Sequence, residues 1–76
     1  MEPYLTFSEA LERAKNGAAI QRDGWNGKGL KVILQKPNEN SKMTSPYLYI
    51  EYLDGKRCPW LASQTDLLSD DWVEVE

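Results

Sequence analysis

Histidine is missing from all 76 residues, and cysteine occurs once, at Cys58. Without imidazole, the chain lacks the group that most often moves protons near neutral pH and most often ligates metals. A lone thiol forms no internal disulfide and cannot supply a four-ligand thiolate site. Both absences weigh against an enzyme, and no cofactor or metal is expected. No apolar run approaches the roughly 20 residues needed to cross a bilayer. The start, Met1-Glu2-Pro3, lacks the basic and then apolar pattern of a secretory leader. A soluble, cytosolic chain is therefore expected. Positive charge is also in deficit: nine Lys and Arg against twelve Asp and Glu leave a net charge of −3. With no basic stripe to offset it, DNA, RNA and anionic membranes are not expected partners.

What remains is an ordinary globular balance of 41% hydrophobic and 28% charged residues, which argues against disorder. One domain over residues 1–76 is expected. By mass scaling such a fold buries roughly 62% of the unfolded chain's surface, leaving stability on the order of 5 kcal/mol and little room for both a core and a cleft.

Thr6-Phe7-Ser8-Glu9 has the form of a capping box. Phe7, Ala10, Leu11 and Ala14 then recur at i, i+3, i+4 and i+7, which predicts a helix of about ten residues with one inward stripe, ended by Gly17. Ala18–Arg22 and Gly29–Gln35 read as strands, and residues 37–46 as a loop without hydrophobic period that stays mobile unless a partner orders it. Pro46–Leu53 alternates, and Asp54-Gly55 after it predicts a hairpin with a two-residue type I′ turn. The second arm, Lys56–Trp60, must end at Pro59 or lie at an edge, because proline cannot donate to a ladder. Ser63–Asp66 reads as a short capped helical turn leading to Leu67 and Leu68, and Trp72–Val75 as a closing strand. The expected fold is α+β: a small, mainly antiparallel sheet of about four to five strands with one N-terminal helix packed on it.

Two segments have the chemistry of a ligand site. Trp25-Asn26-Gly27-Lys28-Gly29 combines a stacking surface, an amide, open backbone N–H groups and a cation, which together suit a nucleotide. The same residues also read as a tight turn in which Trp25 caps the core. In Pro59-Trp60-Leu61-Ala62-Ser63-Gln64-Thr65-Asp66, four small polar side chains follow an aromatic and can bind ribose hydroxyls or a base edge, although capping alone explains two of them. Arg22, Lys28, Lys31, Lys56 and Arg57 lie around these segments and are either anion ligands or solvated surface. Tyr47, Tyr49 and Tyr52 suit stacking, a core or a subunit interface. Cys58 is expected to be a buried, inert thiol. Asp70-Asp71 suits Mg²⁺ or a solvated turn.

The combination of Gly24-Trp25-Asn26-Gly27-Lys28, Pro59-Trp60-Leu61-Ala62-Ser63-Gln64-Thr65-Asp66 and Asp71-Trp72, with the Phe7-Ser8-Glu9-Ala10-Leu11 helix before them, resembles the phage Thoeris anti-defence family of small signal-sponge proteins. The likeness runs from about Phe7 to Val75 and leaves the 37–46 loop, short for the family, unmatched. The resemblance implies a non-catalytic protein in the cytoplasm of an infected bacterial host. It would sequester the cyclic nucleotide messenger glycocyclic ADP-ribose, made by bacterial TIR-domain enzymes; some members also hold cyclic dinucleotides at a separate site. It further implies a homotetramer, a dimer of dimers with pockets at subunit interfaces. Carried onto this chain, Trp25 stacks on a base, Asn26 and the amides near Gly27 hold ribose or phosphate, and Ser63, Gln64, Thr65 and Asp66 complete the pocket from another chain. Trp60 belongs to the second motif, and Arg22, Lys28 and Arg57 are added on electrostatic grounds. Two other readings compete: a module that blocks a host defence enzyme through its tyrosine-rich hairpin, and a messenger hydrolase using an acid pair such as Asp66 and Asp71.

Overall fold

The computed structural model describes residues 4–25 and 29–75. The first helix, α1 (Phe7–Lys15), opens where the sequence predicts. Thr6 Oγ1 accepts the Glu9 N–H at 3.2 Å, and Glu9 Oε1 accepts the Thr6 N–H at 2.9 Å. It closes at Asn16, and Gly17 follows at φ 103°, a left-handed conformation that costs glycine little.

Five strands follow: β1 (Ala19–Arg22), β2 (Lys31–Gln35), β3 (Tyr47–Glu51), β4 (Arg57–Pro59) and β5 (Trp72–Val75). A single 3₁₀ turn, Asp23–Trp25, follows β1, and a five-residue helix, α2 (Gln64–Leu68), precedes β5. The strands form one antiparallel sheet in the order β4-β3-β2-β1-β5. The α+β expectation is met, with a second short helix besides the first. β5 returns across the molecule to pair with β1, and Leu5 bridges to Trp72 at the same edge.

Residues paired across strands share a face. The registers Ile20↔Val32, Val32↔Ile50 and Arg22↔Trp72 therefore put the buried residues Ile20, Val32, Ile50 and Trp72 on one side. There they meet Ala10 and Ala14 of α1 and Leu5. The other side carries Ala19, Gln21, Lys31, Ile33, Gln35, Tyr47, Tyr49, Glu51, Val73 and Val75. α1 packs on β1, β2, β5 and α2, so among the described residues both helices lie on the Ile20 side and the second face is uncovered.

Two expectations are corrected. The hairpin between β3 and β4 has a three-residue connection, Leu53–Gly55: Gly55 N–H donates to Tyr52 O at 2.9 Å, and Tyr52 N–H to Lys56 O at 2.8 Å. Positive φ is met by Gly55 at 88° as the bulge residue, so Asp54-Gly55 marks the hairpin but not the type I′ turn. Cys58 is exposed, because β4 is the outer strand and α1 covers only β1, β2 and β5. In the long loop, Asn38 organises a local turn, accepting from Asn40 N–H at 2.8 Å through its side chain and from Ser41 N–H at 3.0 Å through its carbonyl.

Candidate functional site

Trp72 is completely buried, and three aromatic rings lean on it. Phe7 of α1 meets it at 5.3 Å between centroids, Trp25 at 5.4 Å and Trp60 at 5.9 Å, all edge to face. This is the favourable arrangement for rings with negative faces and positive edges. The indole N–H of Trp72 donates to the Asp66 carbonyl at 3.0 Å, so the same side chain anchors α2. The two sequence segments singled out for ligand chemistry thus meet around one tryptophan.

Charge joins them a second time. Arg22, at the end of β1, donates from Nε to Asp71 Oδ1 at 2.9 Å and from Nη1 to Asp66 Oδ1 at 3.0 Å. Asp71 Oδ2 accepts the Gly24 N–H at 2.9 Å, in the turn that carries Trp25. The Arg22 guanidinium beside Asp71 holds that carboxyl below the usual carboxylate range, and the carboxylate in turn raises Arg22. Ser63 caps α2 by accepting the Asp66 N–H at 3.1 Å, while Asp66 Oδ2 accepts the Ser63 N–H at 3.3 Å. Asp66 therefore serves a cap and an ion pair at once.

The structure brings Arg22, Trp25, Trp60 and Asp66 together, with Ser63, Gln64 and Thr65 exposed on the rim beside them. Trp25 is half-buried against the core, as its reading as a core-capping residue expects. Asn26, Gly27 and Lys28 lie outside the described residues. Arg57 is placed elsewhere: it pairs with Glu51 at 2.9 Å and lies over the Tyr49 ring at 5.7 Å, on the uncovered face. Glu51, which also has Lys31 at 3.6 Å, is held below its ordinary value chiefly by the bond from Arg57. Asp71, one of the pair considered for Mg²⁺, is occupied by Arg22 and Gly24. Sequence reasoning did not single out Trp72 and Asp71 as organisers of the site; the Asp-Trp pair at the start of the last strand was the available signal.

Clefts border the hairpin's tyrosines, among them one of 240 Å³ lined by Gln35, Pro37, Ser41, Lys42, Met43 and Tyr47. One of 220 Å³ is lined by Gln35, Tyr47, Tyr49, Arg57, Cys58 and Pro59, and one of 460 Å³ by residues 43–47 with Pro59. Three large aliphatic side chains flank the polar rim of α2 in solvent: Leu61 is 93% exposed, Leu68 83% and Leu67 45%.

The chain matches, over residues 5–75, the family described as Tad2-like, the Thoeris anti-defense 2-like domain. It is also 32% identical to the protein named Thoeris anti-defense 2 of Bacillus phage SP01, an alignment of 85 residues that covers 95% of this chain and 96% of the relative. The chain belongs to the Thoeris anti-defense 2-like family. Membership supports a phage anti-defence role, and the match includes every described residue of the tryptophan and Arg22 cluster. Among the described residues of this Thoeris anti-defense 2-like chain, no helix is long and apolar enough to cross a membrane.

Proposed function

We propose that this chain is a non-catalytic sponge that binds the cyclic nucleotide messenger glycocyclic ADP-ribose intact, in the cytoplasm of an infected bacterial host, and so starves the effector that the messenger would activate. The observation that carries the reading is the convergence of Trp25, Trp60 and the Ser63–Asp66 rim around Trp72, in a chain of an anti-defence family. Aromatic edges beside small donors and acceptors suit a base and its ribose. Asp71 is held in its charged form by Arg22, which makes it a poor general acid near neutral pH, and Asp66 spends both carboxylate oxygens on Arg22 and the Ser63 N–H, which argues against hydrolysis.

The working unit in this reading is a homotetramer, a dimer of dimers. The accessible surface of 5597 Å² exceeds the ~4,700 Å² that mass scaling gives for a monomer of 8.7 kDa. The surplus resembles the ~800 Å² that one partner contributes to a standard interface. The uncovered sheet face and the exposed side chains of Leu61, Leu67 and Leu68 are the surfaces available for it. Arg57, on the face opposite the tryptophan cluster, would join a pocket from a neighbouring protomer.

The test is to mix protein with messenger, denature the protein and identify the small molecule released. Intact glycocyclic ADP-ribose in stoichiometric amount is expected, with a nanomolar dissociation constant, or about −12 kcal/mol. Linear product would identify a hydrolase. Calorimetry with cyclic dinucleotides alongside tests the second ligand class. A protein whose melting point responds to none of these molecules would favour the module that blocks a host enzyme, with the tyrosine-rich hairpin as its contact surface.

A further inference from the structure

Arg22 faces the helix side of the sheet, and its fork is engaged by two carboxylates of the same chain. Two of its donors are spent on Asp71 and Asp66, and the three side chains are 18%, 26% and 16% exposed. Asp71 passes the connection to the Trp25 turn through the Gly24 N–H, and its carbonyl accepts the Asp23 N–H at 3.0 Å. Asp66 passes it to the Ser63 turn through the capping box. One arginine and two carboxylates leave a net negative charge there, which would repel a phosphate rather than attract it.

We propose that Arg22 and Asp71 are positioning residues, a clamp that fixes the spacing and orientation of the Trp25 turn relative to the Ser63–Asp66 turn without touching the ligand. The inference rests on the reading that these two turns take the messenger. Both turns also rest on Trp72, but only the Ser63–Asp66 turn does so through a directional bond, from the Trp72 indole N–H to the Asp66 carbonyl, whereas the Trp25 turn does so through ring contact, which constrains orientation less. Charge-assisted hydrogen bonds from a planar fork are directional, and they set the angle that stacking requires. Gly24 makes the close approach possible. A Cβ at that position would lie 2.9 Å from Asp71 Oδ2 and 3.3 Å from Arg22 Nη2, so any side chain there displaces the carboxylate.

Three variants test the clamp. Asp71→Ala removes the arginine and Gly24 bonds together; Gly24→Ala pushes the carboxylate aside without changing any charge; Arg22→Lys keeps the charge but can reach one carboxylate only. Affinity for glycocyclic ADP-ribose is measured by calorimetry. The Gly24 amide and the Trp25 and Trp72 indole N–H signals are followed by nitrogen-15 NMR. Asp71→Ala and Gly24→Ala are each expected to raise the dissociation constant at least tenfold, speed exchange of the Gly24 amide and shift the Trp25 indole, with the Val32 and Ile50 amides still protected. Arg22→Lys is expected to fold and to lose at least fivefold in affinity. Affinities within twofold of the parent in Gly24→Ala and Arg22→Lys, with the Gly24 amide released, would overturn the proposal. If the parent protein takes up no messenger, the sponge reading fails by itself. The clamp is then judged on NMR, where an unmoved Trp25 indole and unmoved Ser63–Asp66 amides in Asp71→Ala and Gly24→Ala would overturn it.

Discussion

Trp72 joins the core to the candidate site, so its removal should be felt in both. Truncating a buried tryptophan to alanine costs about 3–5 kcal/mol, comparable with the whole stability of a domain this small. Trp72→Ala is therefore expected to be largely unfolded at 25 °C by circular dichroism. Trp72→Phe keeps an aromatic edge and should fold with a lower melting point, having lost the bond to the Asp66 carbonyl. For Trp25→Ala, the stacking reading by itself implies lost binding with the fold intact. Because Trp25 leans on Trp72, the variant is now expected to lose messenger binding and about 1–2 kcal/mol of stability, read by urea titration and calorimetry. The sequence reading likewise treated Asp66 as a ribose acceptor. Its bonds to Arg22 and the Ser63 N–H mean that Asp66→Ala should also destabilise the fold, by about 1–3 kcal/mol.

The ion pairs also set the response to acid. Asp71 and Glu51 are both lowered in the folded chain, by hydrogen bonds from Arg22 and Arg57 respectively. A carboxyl lowered on folding stabilises the native state above its unfolded pKa, about 3.9 for Asp and 4.3 for Glu, and that contribution is lost as pH falls through the folded value. The melting temperature should therefore be flat from pH 7 to about 5 and fall below about pH 4. Asp71→Asn should begin lower and fall less steeply.

At the scale of elements, what could be read from the sequence was local. Both capping boxes join residues three apart, and the Asp54-Gly55 signal acts within one turn, so neighbouring residues carry enough information to predict them. The finer turn geometry was not legible, since two-residue and three-residue connections both accept a glycine at positive φ. The fate of α2's leucines was not legible either: the capped turn leading to Leu67 and Leu68 does not say which way they face, and the structure leaves Leu67 45% and Leu68 83% exposed. That exposure leads to a prediction at this scale. Leu61→Ser with Leu68→Ser should leave monomer stability within about 0.5 kcal/mol, because both side chains are already in water. If α2 forms a protomer contact, light scattering should show the assembly reduced to a smaller species, while an unchanged mass would move the interface to the uncovered sheet face.

The whole molecule is built as one sheet with helices on one side. Its radius of gyration of 12.5 Å exceeds the ~11.4 Å expected for 76 residues, in keeping with its extents of 40 × 26 × 25 Å and its excess surface. An assembly that buries that surface makes stability depend on concentration. The melting temperature is expected to rise as protein concentration increases from micromolar to hundreds of micromolar. A melting temperature independent of concentration, together with the mass of a single chain, would remove the tetramer from the functional reading.

Wherever partners sit within a turn of one another, the sequence alone determined the outcome: the ends of α1 and α2, the hairpin, and a chemistry without imidazole. Tertiary structure decided the rest. Arg22 finds Asp66 and Asp71 across 44 and 49 residues, β1 comes to lie between β2 and β5, and Cys58 is left on an outer strand. The reason is physical. A cap or turn needs only short-range geometry that a few residues can encode, whereas the partner of a charge or an indole is chosen by the order in which strands pair, and that order is set by burial over the whole chain rather than within any one segment.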